Sequence, residues 1–302
     1  MRLFAGRFAT AVKKPEIDIG VIYTHEQHLM PRLLSSLAKA SDGLNRRLIL
    51  VDNHSADGVE QWRGDAPDTK VLRNSKRLSY SANLNRILQA SERPYVLLLN
   101  TDVFFDASEP CISKMVRFMD ERPDCGIAGC RLYHENGEHA PSARRFQTIP
   151  MIVARKFGLG PLMRRTLDRY FYRELDARET WESDWLSGCF MMLRREAFQD
   201  VGYFDAGFTK YFEDVDMCLR MAQAGWRVMY NGATYCYHLE QRASKNLFSI
   251  DALRHARSYV RWLMKWGFSP DRSARPRWAL PMSQPLPQEP NSPDEKQGRQ
   301  AA

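Results

Sequence analysis

The run Tyr95 to Leu99 (YVLLL) constrains the fold most, because it is the strongest strand signal in the chain and breaks off at the polar turn Asn100-Thr101-Asp102. Two earlier runs, Ile17 to Tyr23 (IDIGVIY) and Arg47 to Val51 (RLILV), also have strand length, and a short strand follows at Lys70 to Leu72. Helical patterns separate them. One places Leu29, Leu33, Leu34 and Leu37 on a single face, and the other spans Ser79 to Ala90 (SYSANLNRILQA). Strands alternating with helices imply βαβ units: an α/β fold with a mostly parallel central sheet and helices on both faces. Ligands of such sheets bind beyond the carboxyl ends of the strands. Asp52 and Asp102 each sit just past such an end, so residues far apart in sequence are expected to line one crevice.

The second half is less regular. Gly126 to Leu132 reads as a strand, and Trp185 to Leu193 (WLSGCFMML) is apolar enough to be buried. Glu213 to Ala224 is a helix candidate closed by Gly225. Two short strands are expected at Trp226 to Tyr230 and Ala233 to Tyr237, and an amphipathic segment at Ile250 to Trp266. Residues 141–179 carry nine Lys or Arg against four Asp or Glu. The ends differ in character. Residues 1–14 form a basic arm without an acid, and residues 270–302 hold seven of the sixteen prolines and read as a disordered tail. One domain is expected over 15–269.

Lys plus Arg outnumber Asp plus Glu by 44 to 36, a formal net charge of +8 that suits an anionic partner without choosing one. The six cysteines form no C-x-x-C pair, which argues against a zinc site and for free thiols in a reducing cytoplasm. No apolar run approaches the length of a spanning helix. The expected location is cytoplasmic, with any membrane association peripheral and on the inner face. Arg254, Arg257, Arg261 and Lys265 recur at helical spacing near Leu253, Val260, Leu263 and Trp266. That face is either a solvated side of a docked helix or an attachment surface for anionic lipid.

Four groups could carry chemistry. Asp102 after a buried strand can hold Mg²⁺ or Mn²⁺ against a diphosphate, or can merely cap a turn. Glu213, Asp214 and Asp216 place three carboxylates in four positions. One would explain a helix cap; three suggest a site as well, with a carboxylate able to take a proton from a hydroxyl. His238 follows a strand among tyrosines and is either structural or a metal ligand. Asn83 and Asn85 interrupt a helix without a propensity reason, as ligand contacts or as caps. There is no G-x-x-x-x-G-K-S/T, G-x-G-x-x-G or G-x-S-x-G, so P-loop, dinucleotide-fingerprint and serine-hydrolase readings lose their main support.

Taken in order, VIYTHE, LILVDNHSADG, SYSANLN, LLLNTDV, AGCRLYHENGEHAPSARRF, DWLSGCFMMLRREAFQDVGYFDAGFTKYFEDVDMCLRMAQAGW and YCYH resemble glycosyltransferase family 2, of the GT-A fold. The resemblance is closest to the bacterial rhamnosyltransferase-like branch and covers about residues 17–267. It implies an inverting transferase that moves a sugar from a nucleotide-diphosphate donor to a saccharide or lipid-linked saccharide acceptor, with no nucleic-acid partner. Thr24, Glu26, Asp52 and Asn53 would surround the base and ribose, and Asn83 and Asn85 would lie near the donor pocket. Asn100, Thr101 and Asp102 occupy the D-x-D position, with Asp102 and His238 as ligands of the divalent cation and Asp214 as general base. The first Asp of that motif is Asn here, and His25-Glu26 replaces the more usual Tyr-Asn. The rival readings are a nucleotidyltransferase, which would release pyrophosphate, and a non-catalytic nucleotide-sugar binding protein, which would have no use for the base.

Overall fold

The computed structural model describes residues 14–63, 68–156, 158–159, 161–239 and 250–268. The expected basic arm, apart from Lys14, and the expected tail at 270–302 lie outside the described residues. The chain begins β1 (Glu16–Tyr23), α1 (Met30–Ala40), β2 (Asn45–Asp52), β3 (Thr69–Arg73), α2 (Tyr80–Ala90) and β4 (Tyr95–Leu99). Next come β5 (Val103–Phe104), α3 (Cys111–Asp120), β6 (Cys125–Tyr133), β7 (His139–Ala140) and β8 (Ala143–Arg144). Helices α4 (Ile149–Lys156) and α5 (Arg164–Tyr170) precede β9 (Thr180–Glu182), β10 (Trp185–Leu186) and β11 (Phe190–Arg194). The last elements are α6 (Arg195–Val201), α7 (Glu213–Gln223), β12 (Arg227–His238) and α8 (Ile250–Trp266).

The main sheet runs β3-β2-β1-β4-β11-β6-β12-β5. Strands β1 to β4 are parallel, and β6 is parallel to β12. Only β11 among the long strands is reversed, pairing antiparallel with β4 and β6. The chain moves outward from β1 through β2 to β3, then returns to place β4 on the other side of β1. That reversal opens a crevice at the carboxyl ends of β1, β2 and β4.

Every residue of β4 is buried. Leu97 and Leu99 join a core with α1 and α3 on one face, while Val96 and Leu98 join α2, α6, α7 and α8 on the other. This two-sided cover is why YVLLL lacks the apolar–polar alternation of a half-exposed strand. Gly20 of β1 has a specific reason: a Cβ there would collide with the Ile87 side chain of α2. The apolar run WLSGCFMML is largely buried as expected and forms two strands, β10 and β11, separated by Ser187-Gly188-Cys189. One expectation is corrected in detail. The two short strands expected after Gly225 are one, β12, with a register shift between Asn231 and Tyr235.

Helix α8 also departs from its expected pattern. Lys265 is fully buried, with Nζ 2.9 Å from Asp205 and 2.5 Å from Asp216. Arg261 donates to both oxygens of Asp205 at 2.9 and 3.0 Å. Two of the four basic residues read as one solvated or lipid-facing side are therefore internal counter-ions. Helical spacing shows which residues share a face, but not whether that face is covered.

Candidate active site

Each predicted residue can be followed from the strand end that carries it. After β1, the Thr24 N–H donates to Glu26 Oε2 at 2.6 Å, folding the Thr24–Glu26 turn back on itself around His25, whose φ is 126°. After β2, the buried Asp52 accepts the Ser55 N–H at 2.8 Å. Asn53 Oδ1 accepts from Asn74 Nδ2 at 2.9 Å and from the Leu78 N–H at 2.8 Å. Asn74 Nδ2 also donates to Asn83 Oδ1 at 2.7 Å. Asn53, Asn74 and Asn83 thus form a buried carboxamide chain joining the ends of β2 and β3 to the start of α2. The Asn74 side-chain oxygen Oδ1 is buried without a hydrogen-bond partner.

Asn85 lies elsewhere. Its carboxamide accepts the Phe204 N–H at 2.8 Å and donates to the Phe204 carbonyl at 2.9 Å. Ser81 Oγ donates to the Phe208 carbonyl, and the Tyr80 N–H to the Thr209 carbonyl at 2.9 Å. The structure therefore groups Asn83 with Asn53 at the strand ends and places Asn85 against the loop that leads into α7.

The end of β4 is organised by β5 and β12. Their antiparallel pairing sets His238 opposite Val103, which brings His238 Nε2 to 3.2 Å from Asp102 Oδ1. Burial alone would lower the His238 pKa. The neighbouring Cys189 sulfur and the bond to Asp102 outweigh it and raise the value to about 11. Without a cation the pair therefore holds a proton; once a cation displaces it, the carboxylate oxygen and imidazole nitrogen are a donor set that suits a small divalent ion. The described residues contain no group of three or more His, Cys, Asp or Glu able to hold one. A two-ligand protein site fits a cation that takes its remaining ligands from a diphosphate.

Asp214 opens α7 opposite this end of the sheet. Its Oδ2 accepts the Gly188 N–H at 3.1 Å and its Oδ1 the Val215 N–H at 2.9 Å. Burial raises its pKa, and those two N–H groups and the Arg144 charge only partly oppose the rise. Tyr211 and Phe212, just before it, have φ of 70° and 68°. Such non-glycine residues cost about 1–3 kcal/mol each and persist only where packing holds them. The imidazole of His255 lies 5.1 Å from the Tyr211 ring and 5.4 Å from that of Phe212, and Trp262 lies 5.9 Å from Phe212. Ser258 Oγ donates to the Lys210 carbonyl at 2.8 Å. Helix α8 therefore holds the strained pair that aims Asp214.

The three neighbouring carboxylates have different fates. Asp216 is fully buried and bound by Arg220 at 3.0 Å, Lys265 and the Trp266 indole at 2.8 Å. Glu213 is buried, and burial followed by the Asp214 charge drives its pKa well above the usual carboxylate value. One of its oxygens has no hydrogen-bond partner.

Four contributors escaped the sequence reading. Tyr80 Oη donates to Asn100 Oδ1 at 2.9 Å, and burial followed by the charges of Glu213, Cys189, Asp214 and Asp102 raises its pKa well above 10, so it faces both halves of the site. Gly188 and Cys189 lie in a stretch that reads only as buried, and Asn74 in one without a pattern. No periodic signal marks any of them.

A mostly parallel sheet with an Asp–His pair at the end of one strand and the half-buried Asp214 at the start of α7 is the arrangement expected of a GT-A glycosyltransferase. The comparisons agree. Residues 18–202 match glycosyl transferase family 2, and the chain belongs to that family, in its rhamnosyltransferase-like branch. It is 29% identical over 259 residues to the N-acetylglucosaminyl-diphospho-decaprenol L-rhamnosyltransferase of Mycobacterium tuberculosis, covering 80% of this chain and 82% of that one. It is 26% identical over 173 residues to the rhamnosyltransferase WbbL of Escherichia coli, covering 57% and 62% of the two chains. The fold is shared with the mannosyltransferase PcManGT of Pyrobaculum calidifontis, solved with GDP-Man and Mn²⁺ (TM-score 0.57, 16% identity, 83% of this chain and 65% of that one). It is shared too with GalNAc-T7, solved with UDP, GalNAc and Mn²⁺ (TM-score 0.61, 15% identity, 83% and 48%).

Proposed function

We propose that this glycosyltransferase moves rhamnose, with inversion, from a nucleotide-diphosphate donor to a hydroxyl of a lipid-linked saccharide in surface-polysaccharide synthesis. The observation that carries the reading is the pairing of two unlike centres through one dipeptide. Gly188 donates to Asp214, while the Cys189 carbonyl accepts the Asn100 N–H at 3.0 Å. A nucleotide-sugar binding protein needs no carboxylate held opposite the diphosphate. The relatives named above are rhamnosyltransferases, and one is named for a diphospho-decaprenol acceptor.

In this reading Thr24, Glu26, Asp52 and Asn53 surround the base and ribose, with Asn83 bracing Asn53 through Asn74. Asn85 acts at a distance, by fixing the loop before α7. Asn100 and Thr101 form the turn that presents Asp102. Asp102 and His238 hold a divalent cation, Mg²⁺ or Mn²⁺, which when bound neutralises charge on the departing diphosphate. Asp214 takes the proton from the acceptor hydroxyl as that oxygen attacks the anomeric carbon from the face opposite the diphosphate. Its raised pKa suits a base better than that of an ordinary aspartate, because a stronger base receives the proton more readily. Among the described residues no helix is long and apolar enough to cross a membrane. A lipid-linked acceptor would then be met at the inner membrane face, from the cytoplasmic side.

Product analysis tests the reading. Incubation with dTDP-rhamnose, Mn²⁺ and a diphosphate-linked N-acetylglucosaminyl lipid should release dTDP and give a product of inverted anomeric configuration by NMR. Release of pyrophosphate would assign nucleotidyl transfer instead.

A further inference from the structure

Among the described residues, the exposed large apolar side chains fall into two segments only, Ile149 to Leu175 and Leu253 to Phe268. Elsewhere the surface obeys the usual rule that large apolar groups are covered. On α8, Leu253, Val260 and Met264 are 72%, 54% and 58% exposed, and Phe268, just past the helix, is 57% exposed. Steps of seven and four residues put the three helical ones on one stripe. Arg254 and Arg257 are exposed beside it. The other face of the same helix is fully engaged, with Trp262 and Trp266 in the core and Lys265 bound to Asp205 and Asp216. The helix cannot roll to hide the stripe without breaking those buried ion pairs. The second segment adds Leu162, 83% exposed, beside the exposed Arg164 and Arg165. Both segments cover the same face of the sheet, since Met151 and Tyr170 share one core with Trp262, and the Phe146 ring lies 6.2 Å from that of Trp262.

We infer that this apolar, arginine-edged face is a docking surface for the leaflet of an anionic bilayer, with the outer stripe of α8 entering the interface. The charge chooses the occupant. A second copy of this chain, net +8, would set arginine against arginine, whereas an anionic headgroup layer pairs with Arg254 and Arg257 while the interface takes Leu253, Val260, Met264 and Phe268. The inference rests on the proposed function for its purpose. The inner side of α8 packs on Tyr211 and Phe212, immediately before Asp214, so docking sets the base about one helix diameter, ~10 Å, from the lipid surface. That is the depth at which the saccharide of a short lipid-linked acceptor would lie.

Co-sedimentation of the full chain with vesicles tests it, using phosphatidylcholine alone and phosphatidylcholine with phosphatidylglycerol. The wild type should bind the anionic vesicles at least ten-fold better, and the difference should shrink in high salt. Val260→Glu with Met264→Glu should lose at least ten-fold of that binding while keeping its melting temperature and its turnover on a short-chain, water-soluble acceptor. Arg254→Gln with Arg257→Gln should lose chiefly the anionic preference. Equal pelleting of wild type and the Glu variant overturns the docking surface, as does a concentration-dependent dimer that the Glu substitutions abolish. In either case retained turnover on the soluble acceptor leaves sugar transfer standing. Loss of turnover by the wild type on every acceptor would remove the function and leave the vesicle result to be judged alone.

Discussion

Gly188 and Cys189 are consecutive residues that tie Asp214 to the turn carrying Asn100 and Asp102. The Gly188 N–H holds Asp214 at 3.1 Å, and the Cys189 carbonyl receives the Asn100 N–H at 3.0 Å while its side chain bonds His238. Asp214 and the Asp102–His238 pair are thereby fixed to one short turn between β10 and β11.

Removing either half of the Asp–His pair should abolish metal-dependent binding of the donor. Asp102→Ala and His238→Ala should each lose the Mn²⁺-dependent part of the nucleotide-induced rise in melting temperature. Excess chelator should stop wild-type turnover, and Mg²⁺ or Mn²⁺ should restore it. Full activity in chelator removes the cation from both residues.

Asp214→Asn keeps shape and removes the base. Donor affinity should stay near wild type while turnover falls by about 10²-fold or more. The pH profile carries the sign. A base acts when ionised, and burial raises the Asp214 pKa. The acid limb of kcat/KM should therefore lie above the ordinary aspartate range, with the rate falling as pH drops through it. A limb at or below the usual value of 3.8 contradicts the assignment.

Glu213 has the opposite use for a raised pKa. The folded state binds its proton more tightly than the unfolded chain does. Its contribution to stability is therefore fully present below the unfolded value of 4.5 and is lost as pH rises through the folded value. Glu213→Gln should leave turnover within about ten-fold of wild type, since at most a single charge is removed and the chemistry rests on Asp214. It should also flatten the decline of melting temperature with pH above 4.5. An unchanged decline would assign the pH dependence to another group.

Lys265→Met should be among the more destabilising single substitutions. It strips a buried cation from Asp205 and Asp216, and breaking a buried ion pair costs about 3–5 kcal/mol. Thermal unfolding checks it. A change of less than about 1 kcal/mol would mean that Arg220 and Arg261 suffice for the two carboxylates.

Tyr80→Phe deletes only the hydroxyl that donates to Asn100. The folded state loses a net hydrogen bond, so stability should fall by about 0.5–1.5 kcal/mol in thermal unfolding, and donor KM should rise if that bond orients Asn100 for the donor. Steady-state kinetics at saturating acceptor measures it.

By itself the sequence determined what local pattern and residue type can encode. The apolar runs at Ile17 to Tyr23, Arg47 to Val51 and Tyr95 to Leu99 became β1, β2 and β4, because short apolar runs bounded by turn residues and alternating with helical patterns suit the buried strands of a parallel sheet. The ordered motifs carried the family, and with it the residues to examine. Only the tertiary structure decided which of three adjacent carboxylates faces the crevice, since burial, ion pairing and hydrogen bonding at Glu213, Asp214 and Asp216 come from β10, α8 and the Gly188 turn. It also decided that β11 runs backwards, that Asn85 grips Phe204, and that Lys265 points inward. Each of these depends on a partner far away in the chain, and a one-dimensional pattern holds periodicity but no distance between remote residues.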